Sequence, residues 1–426
     1  MRVLFYVFIL VIIAAIQAQL ISVHVIFRHG ARAPVLNVTS EEAKSYFYRG
    51  LGQLTDEGIE QAKLIGKVLK DRYVNSFVDS RMLPTQLLFR SSPVERCLMT
   101  IQTVGSTMFP NATPPVQTMP RPDDFLLVPK LDCSFQIDEW ALFFNLTEEE
   151  RDKARKNPWF VSDKALRKAT SKSVTLQERS EENLPALILE KEAGLAVPAW
   201  FNEEAYKESL HVFYSALSVM ASVGEYKSSK GIRIKAGLLL DKIFNDIQEK
   251  IRCHEKKSVN RISCDQKKLQ IFSSHDLLIL PLLEALGIRE DVLGKELPPE
   301  FLSAIVIETM LVDNVPFVKI FYRGNPREIT LRDVTGLVRN CPPKQPLCPA
   351  DLFTSCCGEF ITADPKSECY EEPSTQSPNE WAMTPISWIL FGISIVLILI
   401  LIVMSYLVIR YKNRSVVTIK KVCLEN

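Results

Sequence analysis

Three short apolar runs, far apart in the chain, each end abruptly in a polar cluster, and this arrangement restricts the fold more than anything else in the sequence. Residues 20–27 lead into Arg28-His29-Gly30-Ala31-Arg32-Ala33-Pro34, residues 85–89 into Arg90-Ser91-Ser92, and residues 269–272 into Ser273-Ser274-His275-Asp276. Runs of this length bounded by polar residues read as buried strands. Helical patterns are interleaved with them. Thr55 is placed to cap a helix reaching Tyr73, with Asp56 and Glu57 in its first turn and apolar residues at 59, 62, 65, 69 and 73. Residues 94–108 carry an apolar stripe at 94, 98, 101, 104 and 108, and residues 277–286 are short and strongly apolar. Strands alternating with helices imply an α/β sheet. In such sheets the ligand crevice lies beyond the carboxyl ends of the strands, so the three polar clusters are expected to converge there.

The cluster after the first run has a definite chemistry. Glycine at position 30 permits a tight backbone path beside a ligand, and Pro34 fixes the loop. Arg28 and Arg32 offer planar, permanently charged forks suited to phosphate oxygens. A neutral imidazole at His29 is a nucleophile able to accept a phosphoryl group, and guanidinium neighbours disfavour its protonated form. Arg90 is placed to add a third guanidinium to a transition state whose charge spreads over the equatorial oxygens. After the third run, His275 can donate a hydrogen bond to phosphate and Asp276 can protonate a departing alkoxide, provided that its carboxyl holds a proton. Arg96 reads equally well as a surface ion-pair residue and as part of the site.

From about residue 110 to 250 the pattern becomes helical segments broken by proline and charge, read as a largely helical insertion with no catalytic motif of its own. The two ends of the chain are different again. Residues 1–18 begin with Arg2, run through an apolar core and end at Gln17-Ala18, the layout of a secretory signal peptide. Residues 386–409 hold no charge and are long enough to cross a bilayer core as a helix. Arg410, Lys412 and Arg414 follow it, whereas Glu371, Glu372 and Glu380 precede it, so the tail at 410–426 is expected in the cytosol. The expected layout is a type I single-pass membrane protein whose residues 19–384 form a luminal (lysosomal or endosomal) or extracellular domain. With 51 basic against 50 acidic residues and a formal charge of +1, the chain has no overall field to gather nucleic acid, and no nucleic-acid partner is expected.

Cysteine usage fits an oxidising compartment. Nine of the ten cysteines precede the apolar C-terminal segment, and five of these crowd into positions 341–369. Disulfides are preferred over metal ligation, because the Cys341 and Cys348 spacing is not zinc-like and has no companion histidine. Cys253 and Cys264 are further disulfide candidates. An odd number leaves at least one thiol unpaired or paired to another molecule, and Cys97, on an apolar helix face, is the candidate for a buried free cysteine. The adjacent Cys356 and Cys357 leave connectivity around them open. Asn37, Asn111 and Asn145 head glycosylation sequons on the luminal side.

At these residues the chain resembles the histidine acid phosphatases, the high-molecular-weight branch of the phosphoglycerate mutase-like superfamily. The resemblance rests on the loop from Arg28 to Pro34, the Leu54-Thr-Asp-Glu-Gly58 stretch leading to Asp71-Arg-Tyr73, Arg90-Ser-Ser with Arg96, and Ser274-His-Asp276. It implies a phosphoglycerate mutase-like α/β sandwich of a central mixed, mostly parallel sheet flanked by helices, with a smaller helical insertion. The implied activity is hydrolysis of phosphate monoesters, small or phosphoprotein, through a phosphohistidine on His29, with Asp276 as proton donor and Arg28, Arg32, Arg90 and His275 as phosphate ligands. It also implies the pairs Cys341 with Cys348 and Cys133 with Cys369, homodimerisation, and no metal or other cofactor. The overall layout is similar to membrane-anchored lysosomal-type or prostatic-type members, with an invertebrate member expected. The sequence departs from many relatives at Ser91-Ser92, where Thr-Asp is common, and at Leu277-Leu278, where Thr-Thr is common, which bears on substrate breadth. Two alternatives stay open: a membrane-anchored receptor or adhesion module that binds phosphorylated ligands with little catalysis, and a phytase or inositol polyphosphate phosphatase.

Overall fold

The computed structural model describes residues 18–179, 183–255 and 267–370, together with helical backbone at 394–395, 397–408 and 410. Residues up to Glu371 form one compact unit and those from Glu372 a second. Residues 1–17 of the expected signal peptide and part of the expected membrane segment lie outside the described residues. Among the described residues no helix is long and apolar enough to cross a membrane.

The first unit is built on an eight-stranded sheet. Its strands are β1 (Ala18–Arg28), β2 (Leu87–Ser91), β3 (Val116–Gln117), β4 (Leu269–Ser274), β5 (Ala304–Val312), β6 (Val315–Arg323), β7 (Arg332–Asp333) and β8 (Cys348–Pro349). The order is β3-β2-β4-β1-β5-β6-β7, with β8 also paired to β6. Strands β1, β2, β3 and β4 are mutually parallel, β5 runs against β1, and β6 against β5. Since β7 and β8 both oppose β6, five of the eight strands point one way and three the other. The mixed, mostly parallel sheet that the resemblance implies is therefore present. The strands of its antiparallel side were not identified from the sequence, although β5 and β6 meet in a two-residue turn whose Asp313 and Asn314 have φ of 50° and 66°. Asp and Asn tolerate that left-handed backbone, and such a turn matches the twist of a hairpin.

Alternation along β1 sends side chains to both faces of the sheet. Val23, Val25 and Phe27 pack with Ile65, Leu69, Ile101 and Val104, whereas Ile26 packs with Phe272, Leu278 and Leu282. The first face is covered by α2 (Asp56–Tyr73) and α3 (Glu95–Met108), α1 being the short Glu41–Tyr46. Among the described residues, six α-helices lie between β3 and β4: α4 (Ser134–Phe144), α5 (Glu148–Lys156), α6 (Trp159–Thr170), α7 (Leu184–Glu192), α8 (Glu203–Ala221) and α9 (Ser229–Glu255). With α10 (Asp276–Leu286), α9 covers the second face. Thr55 caps α2 as its sequence suggests, its side chain accepting from the Gly58 N–H.

Disulfides join Cys133 to Cys369, Cys341 to Cys348, and the neighbours Cys356 and Cys357 to each other. Cys253 is disulfide-bonded, and Cys264 lies outside the described residues. Cys97 is free and buried. Asn37, Asn111 and Asn145 are all exposed.

Candidate active site

Parallel register brings the three polar clusters to one edge of the sheet. Arg28 at the end of β1 lies beside Ser274 of β4, and Ser273 of β4 lies beside Ser91 of β2. Each strand runs one or two residues further into its polar cluster than the apolar runs suggest, because the ladder partners remain available. The chain then leaves the sheet along a tightly bonded loop: the His29 N–H donates to the Ser274 carbonyl at 3.0 Å, and the His29 carbonyl accepts from Leu302 N–H at 3.2 Å.

The loop is pressed against the beginning of α2. Thr55 donates to the Ala31 carbonyl through both its backbone N–H (2.9 Å) and its hydroxyl (3.0 Å), and Ala31 N–H donates to Gln61 Oε1 at 3.0 Å. Gly30 N–H donates to Thr100 Oγ1 of α3 at 3.2 Å. A Cβ on Gly30 would sit 2.6 Å from the Gly58 carbonyl oxygen, and one on Gly58 would sit 2.2 Å from that of Ala31. Both contacts are with backbone, so both positions require glycine, and the Leu54 to Gly58 stretch acts as the clamp on the Arg28 to Pro34 loop.

Within this frame His29 is almost wholly buried (1% exposed). Its Nδ1 lies 2.9 Å from the Gly30 carbonyl, which can only accept, so Nδ1 carries the proton and Nε2 keeps the lone pair. Its ring meets that of His275 edge-on at 5.6 Å between centroids. Burial holds the His29 imidazole well below its ordinary pKa, and Arg96, Arg28, His275 and Arg32 push it in the same direction. Arg96, ambiguous in the sequence, is therefore the foremost charge acting on His29. No composition signal singles it out; its spacing from Arg90 across the start of α3 is the only hint.

Arg28 donates to Asp276 Oδ2 at 2.9 Å and to the Pro299 carbonyl, and its guanidinium stacks 4.2 Å from the centre of the Phe301 ring. Arg32 donates to the Ala33 carbonyl at 2.9 Å. Its pKa is drawn downward by burial and then by Arg96 and Arg28, the signature of cations crowded together. The buried Nε–H groups of Arg28, Arg32 and Arg96 have no hydrogen-bond partner. Three guanidiniums acting on one buried imidazole form a ready site for a multivalent oxyanion.

Arg90, at the end of β2, is held at 2.8 Å by Asp124, which is fully buried, and also donates to the Ser91 carbonyl. Asp124 was not apparent from the sequence, since a lone Asp in a loop gives no sign of the arginine it will meet. His275 Nε2 lies 2.9 Å from Ser92 Oγ, and the Cys97 sulfur is 3.7 Å from the same nitrogen. Burial, with Arg96 next, lowers the His275 pKa to about 3, so its ring is neutral.

Asp276 begins α10, where its Oδ1 accepts from Leu277 N–H at 2.9 Å. Burial would raise its pKa, but Arg28 and then Arg32 prevail, and the carboxyl lies below its ordinary range. Asp276 is therefore a carboxylate paired with Arg28.

Beyond Arg28 and Arg32 the site opens into a cleft of about 730 Å³, walled by α1, α7 and α8 and by the segments flanking β5 and β6.

A family model described as histidine phosphatase superfamily (branch 2) matches residues 19–323. The chain is 79% identical over 426 residues, the whole of both proteins, to "Putative acid phosphatase 1" of Caenorhabditis briggsae. It is 27% identical over 383 residues to the prostatic acid phosphatase of Homo sapiens, covering 86% of this chain and 92% of that one. Among solved structures, the apo phytase of Hafnia alvei aligns with a TM-score of 0.55 at 15% identity, over 83% of this chain and 99% of that one, a likeness of fold. With the motif, the sheet order and the whole-length similarity in agreement, the chain belongs to branch 2 of the histidine phosphatase superfamily.

Proposed function

We propose that the protein is an acid phosphatase that hydrolyses phosphate monoesters through a phosphohistidine on His29. The observation carrying this reading is the buried, neutral imidazole with a free Nε2, surrounded by unpartnered guanidinium N–H groups of Arg28, Arg32 and Arg96. Those donors hold the phosphoryl oxygens, with Arg90 and His275 completing the ligand set. Nε2 attacks phosphorus as the bond to the ester oxygen breaks. The departing alkoxide takes a proton from Asp276. Water then attacks the phosphohistidine, returning its proton to the Asp276 carboxylate and releasing inorganic phosphate.

The resting carboxylate of Asp276 must first gain that proton. A bound phosphate engages Arg28 and Arg32 and places negative charge beside Asp276, which reverses the two influences that keep its pKa low. Protonation thus accompanies substrate binding, and mildly acidic solution favours it. The decisive experiment is acid quenching of enzyme turning over a radiolabelled aryl phosphate. Label is expected on His29, and His29→Ala should lose both label and at least about 10³-fold in kcat. Label on any other side chain, or full activity in His29→Ala, overturns the proposal. Asp276→Asn should slow alkyl esters more than activated aryl esters; equal slowing would remove the proton-donor role.

We further infer a type I membrane protein carrying this domain in the secretory pathway, with Asn37, Asn111 and Asn145 glycosylated. The exposure of those three side chains, the disulfides and the uncharged segment at 386–409 followed by three basic residues support that topology. A protease-protection assay on intact vesicles tests it.

A further inference from the structure

The walls of the cleft are charged opposite to its floor. Among the described residues that line it, the only cation besides Arg28 and Arg32 is Arg327, which faces Glu57 at 3.8 Å. Glu192, Glu300 and Glu328 also line it, as do apolar side chains such as Leu189, Leu210 and Leu293. Arg28 acts on both Glu192 and Glu300, and both carboxyls nevertheless stand above their ordinary pKa, chiefly through burial. Glu328 adds to the effect on Glu300, and Glu300 to that on Glu192. When a phosphate dianion takes up Arg28 and Arg32, Glu192 keeps the hydrogen bond from the Tyr206 hydroxyl and Glu300 the weaker influence of Arg323, but both lose their principal compensating charge. Tyr322, 2% exposed, lines the same wall, its hydroxyl beside that of Ser303.

Resting on the phosphatase reading, we propose that the cleft selects phosphate monoesters whose alcohol carries a protonated amine on an apolar or aromatic frame. The ammonium lies among Glu192, Glu300 and Glu328 and donates to the Tyr322 hydroxyl, while the frame lies on the apolar wall. The same charges repel esters bearing further anionic groups, so a polyphosphorylated polyol meets carboxylates where its additional phosphates need cations.

Two esters of equal leaving-group chemistry test this with the full chain: 4-(2-aminoethyl)phenyl phosphate and 4-(2-carboxyethyl)phenyl phosphate, with 4-nitrophenyl phosphate as the neutral reference. The ratio of kcat/KM between the ammonium and carboxylate esters is expected to be about tenfold or more, and to fall toward about one in Glu192→Gln/Glu300→Gln. A ratio near one in the unaltered protein, or one that the double variant leaves in place, overturns the proposal while 4-nitrophenyl phosphate is still hydrolysed. Equal gains for both esters in the variant would mean that the carboxylates merely balance the arginines, and would also overturn it. Loss of turnover on all three esters is the failure of the phosphatase reading instead. Calorimetric binding of the two charged esters to His29→Ala decides the selectivity in that case, tighter binding of the ammonium ester supporting it and equal or weaker binding removing it.

Discussion

A neutral imidazole among guanidiniums has a definite response to acid. His29 is a base whose folded pKa is depressed, so its nucleophilic form persists below the usual imidazole range and is lost only as pH falls through that lowered value. The acid limb of kcat/KM, which reports the free enzyme, is therefore expected below about pH 6.5. Arg96→Gln removes the largest charge contribution holding His29 down, and should move that limb upward. The same substitution should cost about 10- to 100-fold in kcat/KM at pH 5, more than at pH 7. A purely structural role for Arg96 would lower thermal stability and leave the limb where it was. At this scale the sequence was informative about identity and silent about pairing. Arg28, His29, Arg32, His275 and Asp276 stand in compact motifs. Asp124 and Phe301 reach the site through tertiary contacts that no local pattern encodes, and Arg96 was ambiguous, hinted at by its spacing from Arg90.

Among the elements, the contact between the phosphate loop and the first turn of α2 is the most exacting. Backbone meets backbone there, and neither Gly30 nor Gly58 has room for a methyl group. Gly58→Ala is expected to cost about 1–3 kcal/mol in stability and to lower kcat by displacing His29. Gly358→Ala, which would meet nothing within 4 Å, serves as the control in the same melting and turnover measurements. An unchanged melting temperature in Gly58→Ala would show that the loop is not clamped as described. Strands β1, β2 and β4 and helices α2, α3 and α10 were legible because their apolar character is strong and their caps or polar ends are sharp, whereas the two-residue β3, in the stretch read as a helical insertion, was not. The β5–β6 hairpin also carried a signal, its Asp313-Asn314 turn between two apolar runs, but without a functional cluster at its end it attracted no notice. The pairing of Cys356 with Cys357 could not be read at all, since adjacency alone does not choose among partners.

For the molecule as a whole, the bridge between Cys133 and Cys369 closes the longest loop among the described disulfides, with a sequence separation of 236. Removing it as Cys133→Ala/Cys369→Ala should cost about 2–5 kcal/mol, read as a lower denaturation midpoint, with activity retained in the folded fraction. Unchanged stability would mean that packing of Phe125 and Ile234 around the two cysteines is sufficient by itself. Cys369 lies immediately before Tyr370, the last described residue of the first unit. If the chain beyond it is moored in a bilayer, tension arriving from that end meets a covalent knot at the start of α4 before it can peel away any strand. Such a catalyst could be dragged by its tether without its phosphate cradle registering the tug.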